Sequence, residues 1–119
     1  MRIFVDVTFE AAHSLPNTPP QHKCHRLHGH SYQVTLEVEG EPDPYTGWIV
    51  DYAEVKDAWE PLHGELDHHF LNDVEGLGIS TCENLVLWIA RQLRHTLLNL
   101  CAVTVRETPT CGARWEVER

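Results

Sequence analysis

The odd positions from Arg2 to His13 read Ile3, Val5, Val7, Phe9, Ala11 and His13, while the even ones include Asp6, Thr8 and Glu10. Alternation with period two predicts a strand with one face buried. Ser14 to Lys23, with Pro16, Asn17, Pro19 and Pro20, reads as a long loop. From His28 the even positions His28, His30, Tyr32, Val34, Leu36 and Val38 oppose Ser31, Gln33, Thr35, Glu37 and Glu39, which predicts a second strand. Gly40 to Gly47, carrying Pro42 and Pro44, is a turn region. Asp51 and Glu54 form a capping-box-like pair, and Val55, Ala58, Trp59 and Leu62 mark one face of a helix that Pro61 is expected to kink or end. The segment LDHHFLND leads to Gly76 and Gly78. Ser80 and Glu83 then repeat the capping signal ahead of Leu85, Trp88, Ile89, Leu93, Leu97 and Leu100, which predicts a second helix. Val103, Val105 and Glu107 alternate with Thr104 and Arg106, and the turn Thr108-Pro109-Thr110 leads into Cys111, Ala113, Trp115 and Val117.

The predicted order is ββααββ. Two hairpin-like pairs around a helical pair give an α+β fold, a four-stranded antiparallel sheet with two helices on one face. Such a sheet leaves two open edges, so side-by-side association of subunits is expected. With 119 residues the chain reads as one domain over 1–119 with a single core.

Charge narrows the partners. Nine Lys+Arg against eighteen Asp+Glu leave −9, which argues against nucleic acid or an anionic membrane as a partner and favours small molecules or proteins. The N-terminus has no long apolar run and carries Asp6 and Glu10, unlike a signal or transit peptide. A cytoplasmic location is expected, with Cys24, Cys82, Cys101 and Cys111 as reduced thiols.

Histidine changes the picture most: nine are present, four of them between Gln21 and Ser31. His28 and His30, two apart on a strand, project from one face with Cα atoms roughly 6.5–7 Å apart. His13 ends the first strand on the apolar parity, so antiparallel pairing of the strands would bring it beside them. Three neutral imidazoles leave a tetrahedral zinc one open position, as in catalytic sites, whereas iron sites commonly include a carboxylate. Zn2+ is the expected ion, held by His13, His28 and His30.

Cys24 lies four residues before His28, in C-x-x-x-H-G-H. It would either close the metal site as a fourth ligand or serve as a thiolate base or nucleophile, favoured by nearby Lys23, Arg26 or the cation. Spacing alone leaves both open. Asp67-His68-His69 joins a carboxylate to imidazoles suited to proton transfer, although on the residues alone a solvated loop with surface histidines is the simpler reading. Glu107 ends the apolar-parity run Val103-Val105-Glu107, so its carboxylate points to the core side and needs a partner, either an arginine or a ligand offering two N–H groups.

TFEAAH, KCHRLHGHSY, LDHHFLND and RET, in this order and on these elements, resemble the 6-pyruvoyl-tetrahydropterin synthase and 6-carboxytetrahydropterin synthase family over nearly the whole chain. The resemblance implies the tunnelling fold, in which subunits join their sheets into an oligomeric barrel, trimer-based and stacked as a hexamer, with sites between subunits. It also implies zinc on His13, His28 and His30, and Cys24 as the proton-abstracting base. Asp67 and His68 would be the acid/base pair, Glu107 the anchor of the pterin, and Thr81 a residue lining the pterin pocket.

The short C-x-x-x-H-G-H spacing resembles the carboxytetrahydropterin synthases of the queuosine and deazapurine route. The implied reaction takes 7,8-dihydroneopterin triphosphate to 6-carboxy-5,6,7,8-tetrahydropterin, acetaldehyde and triphosphate, without a nicotinamide. A triphosphate substrate on an acidic chain requires a local cationic mouth, for which Lys23 and Arg26 are the candidates. His25, within the same loop, is expected to face solvent. The alternatives are a pyruvoyl synthase that keeps the side-chain carbons, a structural zinc module closed by Cys24, and an iron oxygenase on the same histidines.

Overall fold

The structure, a computed structural model, describes residues 1–118. Strand β1 (Arg2–His13) and strand β2 (His28–Glu39) form a long antiparallel hairpin in which Ile3 pairs with Val38 and His13 with His28. Helix α1 spans Tyr52–Leu66 and helix α2 spans Cys82–Leu93. Between them lies a two-residue strand, β3 (His69–Phe70). Strands β4 (Leu100–Thr108) and β5 (Cys111–Glu116) close the chain as a second hairpin. The sheet order is β3-β1-β2-β4-β5.

The sheet is therefore five-stranded and mixed. The expected four antiparallel strands are present, and β3 adds a parallel pairing to β1, Ala11 with His69 and Ala12 with Phe70. Two residues are too short a run for any periodicity to reveal.

The apolar parity of the strands packs against both helices in one cluster. Phe9 stacks on Tyr32 with centroids 4.7 Å apart and meets Trp59 of α1 at 6.2 Å. Val55, Trp59, Leu62 and Leu66 carry α1 into this core, while Leu85, Trp88, Ile89 and Leu93 carry α2. Phe9→Ala is expected to lower stability by about 4 kcal/mol, because an aromatic core cavity collapses only partly. Urea unfolding followed by circular dichroism reads this out.

Two helix boundaries differ from the sequence expectation. Helix α1 continues five residues past Pro61, because that ring lies on the exposed side while Leu62 and Leu66 still reach the core. Helix α2 stops at Leu93: Leu97 is buried from the following turn and Leu100 already opens β4. Asp51 caps α1 as expected, accepting the Ala53 N–H at 2.9 Å. The cap of α2 is Thr81, whose hydroxyl accepts the Asn84 N–H, and not Ser80.

The other sheet face is polar and open. Asp6, Thr35, Glu37, Thr104, Arg106 and Arg114 surround Phe4, which remains largely exposed. Across it Arg114 holds Glu37 at 3.0 Å and Glu116 at 2.7 Å. No helix among the described residues is long and apolar enough to cross a membrane.

Candidate metal and pterin site

The β1–β2 register alone sets His13 opposite His28 and Ala11 opposite His30, so three imidazoles meet at one end of the hairpin. Their nitrogens lie within 4.8 Å of one another, and the Nε2 atoms of His13 and His28 are 3.0 Å apart. His13 Nδ1 sits 2.7 Å from the Ser80 carbonyl and His28 Nδ1 2.8 Å from the Arg26 carbonyl. A carbonyl only accepts, so each Nδ1 carries the proton and donates it. Each Nε2 then presents a lone pair, and two lone pairs face each other at 3.0 Å. A cation between them converts that repulsion into ligation, with the backbone carbonyls fixing the tautomers from behind. The residues present thus fit a metal ion.

Burial reinforces this. His13 is only 1% exposed, and desolvation holds its pKa below the ordinary imidazole range, with the charges of His28 and His30 acting the same way. Burial also depresses His30, against the opposing pull of Glu107. Both rings thus stay in the neutral, ligating form at lower pH than a free imidazole.

Glu107 reaches the triad from β4. Arg106 pairs with Gly112 and Thr108 with Cys111, so Glu107 is the extra residue of a β-bulge, a device that re-aims a side chain. Gly112 makes this possible: a Cβ there would lie 2.1 Å from the Val105 carbonyl oxygen. Glu107 Oε2 lies 3.7 Å from His30 Nε2 and 3.9 Å from Cys82 Sγ. Burial, followed by the charge of Glu107, pushes the Cys82 thiol up to about 12, so it remains protonated beside the carboxylate. No arginine is recorded against Glu107 among the described residues, and its carboxylate borders a pocket of 290 Å³ shared with His13, Thr81, Cys82 and Cys111. Thr81 reaches that pocket from the cap of α2.

Asp67 and His68 form a made pair. Asp67 Oδ2 lies 2.8 Å from His68 Nδ1, and Asp67 Oδ1 accepts the Glu10 N–H at 2.8 Å. The Glu10 N–H, then the His68 contact, hold the Asp67 carboxyl below the usual range. His68 adopts φ 57°, the single positive φ outside glycine among the described residues, and its N–H donates to the Glu10 carbonyl at 2.6 Å. Left-handed backbone at a non-glycine residue is strained, and strain of this kind concentrates at functional positions. His68 and His69 both stay exposed, as the reading of a solvated loop with surface histidines has it, and β1 adds the groups that lock the Asp67–His68 pair. His68 lines a second cleft, of 580 Å³, with Glu10, His30, Ser31, His69 and Phe70. The triad stands between the two clefts: His30 borders this one and His13 the other.

Cys24 lies on a short 3-10 turn, Lys23–His25. Its N–H donates to His22 Nδ1 at 3.0 Å and its carbonyl accepts the Leu15 N–H at 2.8 Å. The half-exposed thiol lies outside the group of converging nitrogens. Lys23 and Arg26 are exposed on either side of it. His25, expected in solvent, is half-buried with Nδ1 3.1 Å from the Thr18 carbonyl, because the proline-rich loop folds back over it.

The profile of the 6-pyruvoyl tetrahydropterin synthase family matches residues 2–118. The chain belongs to the 6-pyruvoyl tetrahydropterin synthase family. Within it, the chain is 37% identical to a 6-carboxy-5,6,7,8-tetrahydropterin synthase of Synechocystis sp., over 95% of this chain and 91% of the relative. It is 32% identical to a dihydroneopterin monophosphate aldolase of Pyrococcus furiosus, over 81% of this chain and 77% of that one. The solved 6-pyruvoyl tetrahydropterin synthase of Caenorhabditis elegans superposes with a TM-score of 0.89 at 25% identity, covering 99% of this chain and 96% of the other.

Some residues of this family member's site were not legible as such. Ser80 reads as a helix cap in the sequence, yet its carbonyl orients His13 and its hydroxyl lies 3.2 Å from the same ring. Asn72 accepts the Ser14 N–H at 3.0 Å and donates to the Ser14 carbonyl at 2.9 Å, fixing the chain just past His13. Asn72 stands next to the buried Leu71 in a segment already rich in polar residues, so local composition did not single it out.

Proposed function

We propose that the protein is a zinc-dependent 6-carboxy-5,6,7,8-tetrahydropterin synthase, a carbon–carbon lyase acting on 7,8-dihydroneopterin triphosphate in the queuosine and 7-deazapurine route. The observation that carries the reading is a triad of converging imidazoles with the Glu107 carboxylate, against which no arginine lies among the described residues, 3.7 Å from His30 and on the pocket that His13 borders. Its choice of product is supported by the Synechocystis relative and by the short C-x-x-x-H-G-H spacing.

Zinc on His13, His28 and His30 would supply Lewis-acid stabilisation of the side-chain oxygens. Glu107, an acceptor with two oxygens, takes the 2-amino and ring N–H groups of the pterin, and Thr81 borders the same pocket. Cys24 as thiolate removes a side-chain proton. His68, oriented through Nδ1 by Asp67, exchanges protons with Nε2. Carbon–carbon cleavage releases acetaldehyde, and the redox change stays within the substrate, so no nicotinamide is consumed.

The two clefts are open and the sheet face is uncovered. The radius of gyration is 15.4 Å, against about 13.5 Å for a compact domain of this length. We infer a homo-oligomeric barrel, trimer-based and stacked as a hexamer, in the cytoplasm, with sites between subunits.

Anaerobic incubation of the zinc-loaded protein with 7,8-dihydroneopterin triphosphate tests the reading, with aldehyde trapping and mass identification of the pterin. Acetaldehyde with a 6-carboxy pterin is expected. A pyruvoyl pterin without acetaldehyde would move the assignment to the elimination reaction, and an aldehyde other than acetaldehyde would move it towards an aldolase.

Lys23 and Arg26 would form the cationic mouth for the triphosphate. Neutralising both to glutamine is expected to raise KM by about ten-fold or more at low salt while leaving kcat near wild type, since exposed charges act on encounter and ground-state binding. Steady-state kinetics at two ionic strengths read this out, and an unchanged KM would remove these residues from the site.

A further inference from the structure

We propose that His63 is a positioning residue for the Asp67–His68 pair, sharing the Asp67 Oδ2 oxygen with His68 and setting how strongly that oxygen holds the His68 ring. The inference rests on the acid/base role proposed for that pair. It begins from the helix repeat: His63 and Asp67 are four apart, and the Asp67 N–H donates to the His63 carbonyl at 2.8 Å at the end of α1. This sets the two side chains on one face, and His63 Nε2 lies 3.7 Å from Asp67 Oδ2. The His63 ring is turned edge-on to buried Trp59, with centroids 6.4 Å apart, which limits its rotation away from the carboxylate.

Asp67 has no free choice of orientation. Oδ1 is taken by the Glu10 N–H of β1, so Oδ2 alone faces both imidazoles, at 2.8 Å from His68 and 3.7 Å from His63. The other titratable groups nearby are turned elsewhere. The Glu10 carboxylate accepts the Ser31 hydroxyl of β2 at 2.6 Å, and His69, opening β3, meets the Asp67 carbonyl at 2.8 Å. Helix α2 also packs on α1 and contributes no charged group to Asp67 among the described residues. His63 is thus the one cation source besides His68 at Oδ2. When protonated it competes for the same negative charge and repels a charged His68, so it weakens the proton affinity of the ring on which the proposed acid step depends.

Two variants shift this in opposite directions. His63→Ala removes the competing charge and is expected to raise the pH midpoint of His68. His63→Lys makes the charge permanent and is expected to lower it, each by about 0.3–0.5 pH units for a partly screened pair. The readout is the His68 Cε1–H titration by NMR in the full-length protein, assigned from the spectrum of His68→Gln, together with the pH profile of kcat. Asp67→Asn runs in parallel and is expected to lower the His68 midpoint. Opposite shifts in the two His63 variants support the inference. Unmoved midpoints in both, or a uniform fall of kcat at every pH with no midpoint shift, overturn it. If the midpoints shift as expected while Asp67→Asn keeps wild-type turnover, the electrostatic coupling stands and the acid/base role of the pair is what fails.

Discussion

Cys24→Ala is expected to fold and to keep the zinc proposed for the histidine triad, while turnover falls by about 1,000-fold. The magnitude is that of removing a positioned base from a proton-transfer step. The expectation that the fold survives follows from where the loop's own interactions lie. The Cys24 N–H and carbonyl hold the turn through His22 and Leu15, and these backbone bonds are unaffected by loss of the thiol. That zinc survives follows from the three histidine nitrogens meeting without the sulfur. Metal content by atomic emission, far-ultraviolet circular dichroism and single-turnover kinetics on one preparation check all three points. If zinc and stability fall together with turnover, Cys24 is a ligand and the site is a closed structural one.

His28→Ala is expected to weaken zinc binding by about 100-fold or more and to abolish turnover with it. Loss of an outer-shell partner alone costs 10–100-fold in affinity, so loss of a ligand lies at or beyond the top of that range. His28 is the informative choice among the three. His13 is fully buried against Ser80 and Tyr32, and its removal would open a cavity and mix folding with binding. His28 is half-exposed, so its truncation leaves the core of Phe9, Tyr32 and Trp59 intact. Competition with a chromophoric chelator measures the affinity, and thermal unfolding of the zinc-free form separates binding from stability. Zinc affinity unchanged in His28→Ala would remove this residue from the ligand set.

The apolar parity of β1 and β2 was legible because one face of each is buried or half-buried from end to end, so period two runs unbroken from Ile3 to His13 and from His28 to Val38. That parity is also what placed the three histidines on one side. The last strand and the cap of α1 were legible for equally local reasons, the turn at Thr108-Pro109-Thr110 and the Asp51 carboxylate. Helix ends were not. Pro61 falls where its ring meets solvent, and Leu97 and Leu100 continue the spacing of leucines beyond the helix while serving a turn and a strand.

Taken alone, the sequence determined the α+β class, the strand and helix order, the core faces and the candidate ligands, since these depend on residue type and on periods of two and 3.6. The tertiary structure decided what depends on separate segments meeting. It brought the Ser80 carbonyl to His13 and the Glu10 N–H to Asp67, and set Glu107, already aimed inward by its parity, on a bulge that only glycine at position 112 permits. Each of these contacts joins residues distant in the chain or depends on a slip of register. Neither leaves a mark in local composition, because a backbone carbonyl or N–H is present at nearly every residue and only the fold determines which one faces the ring.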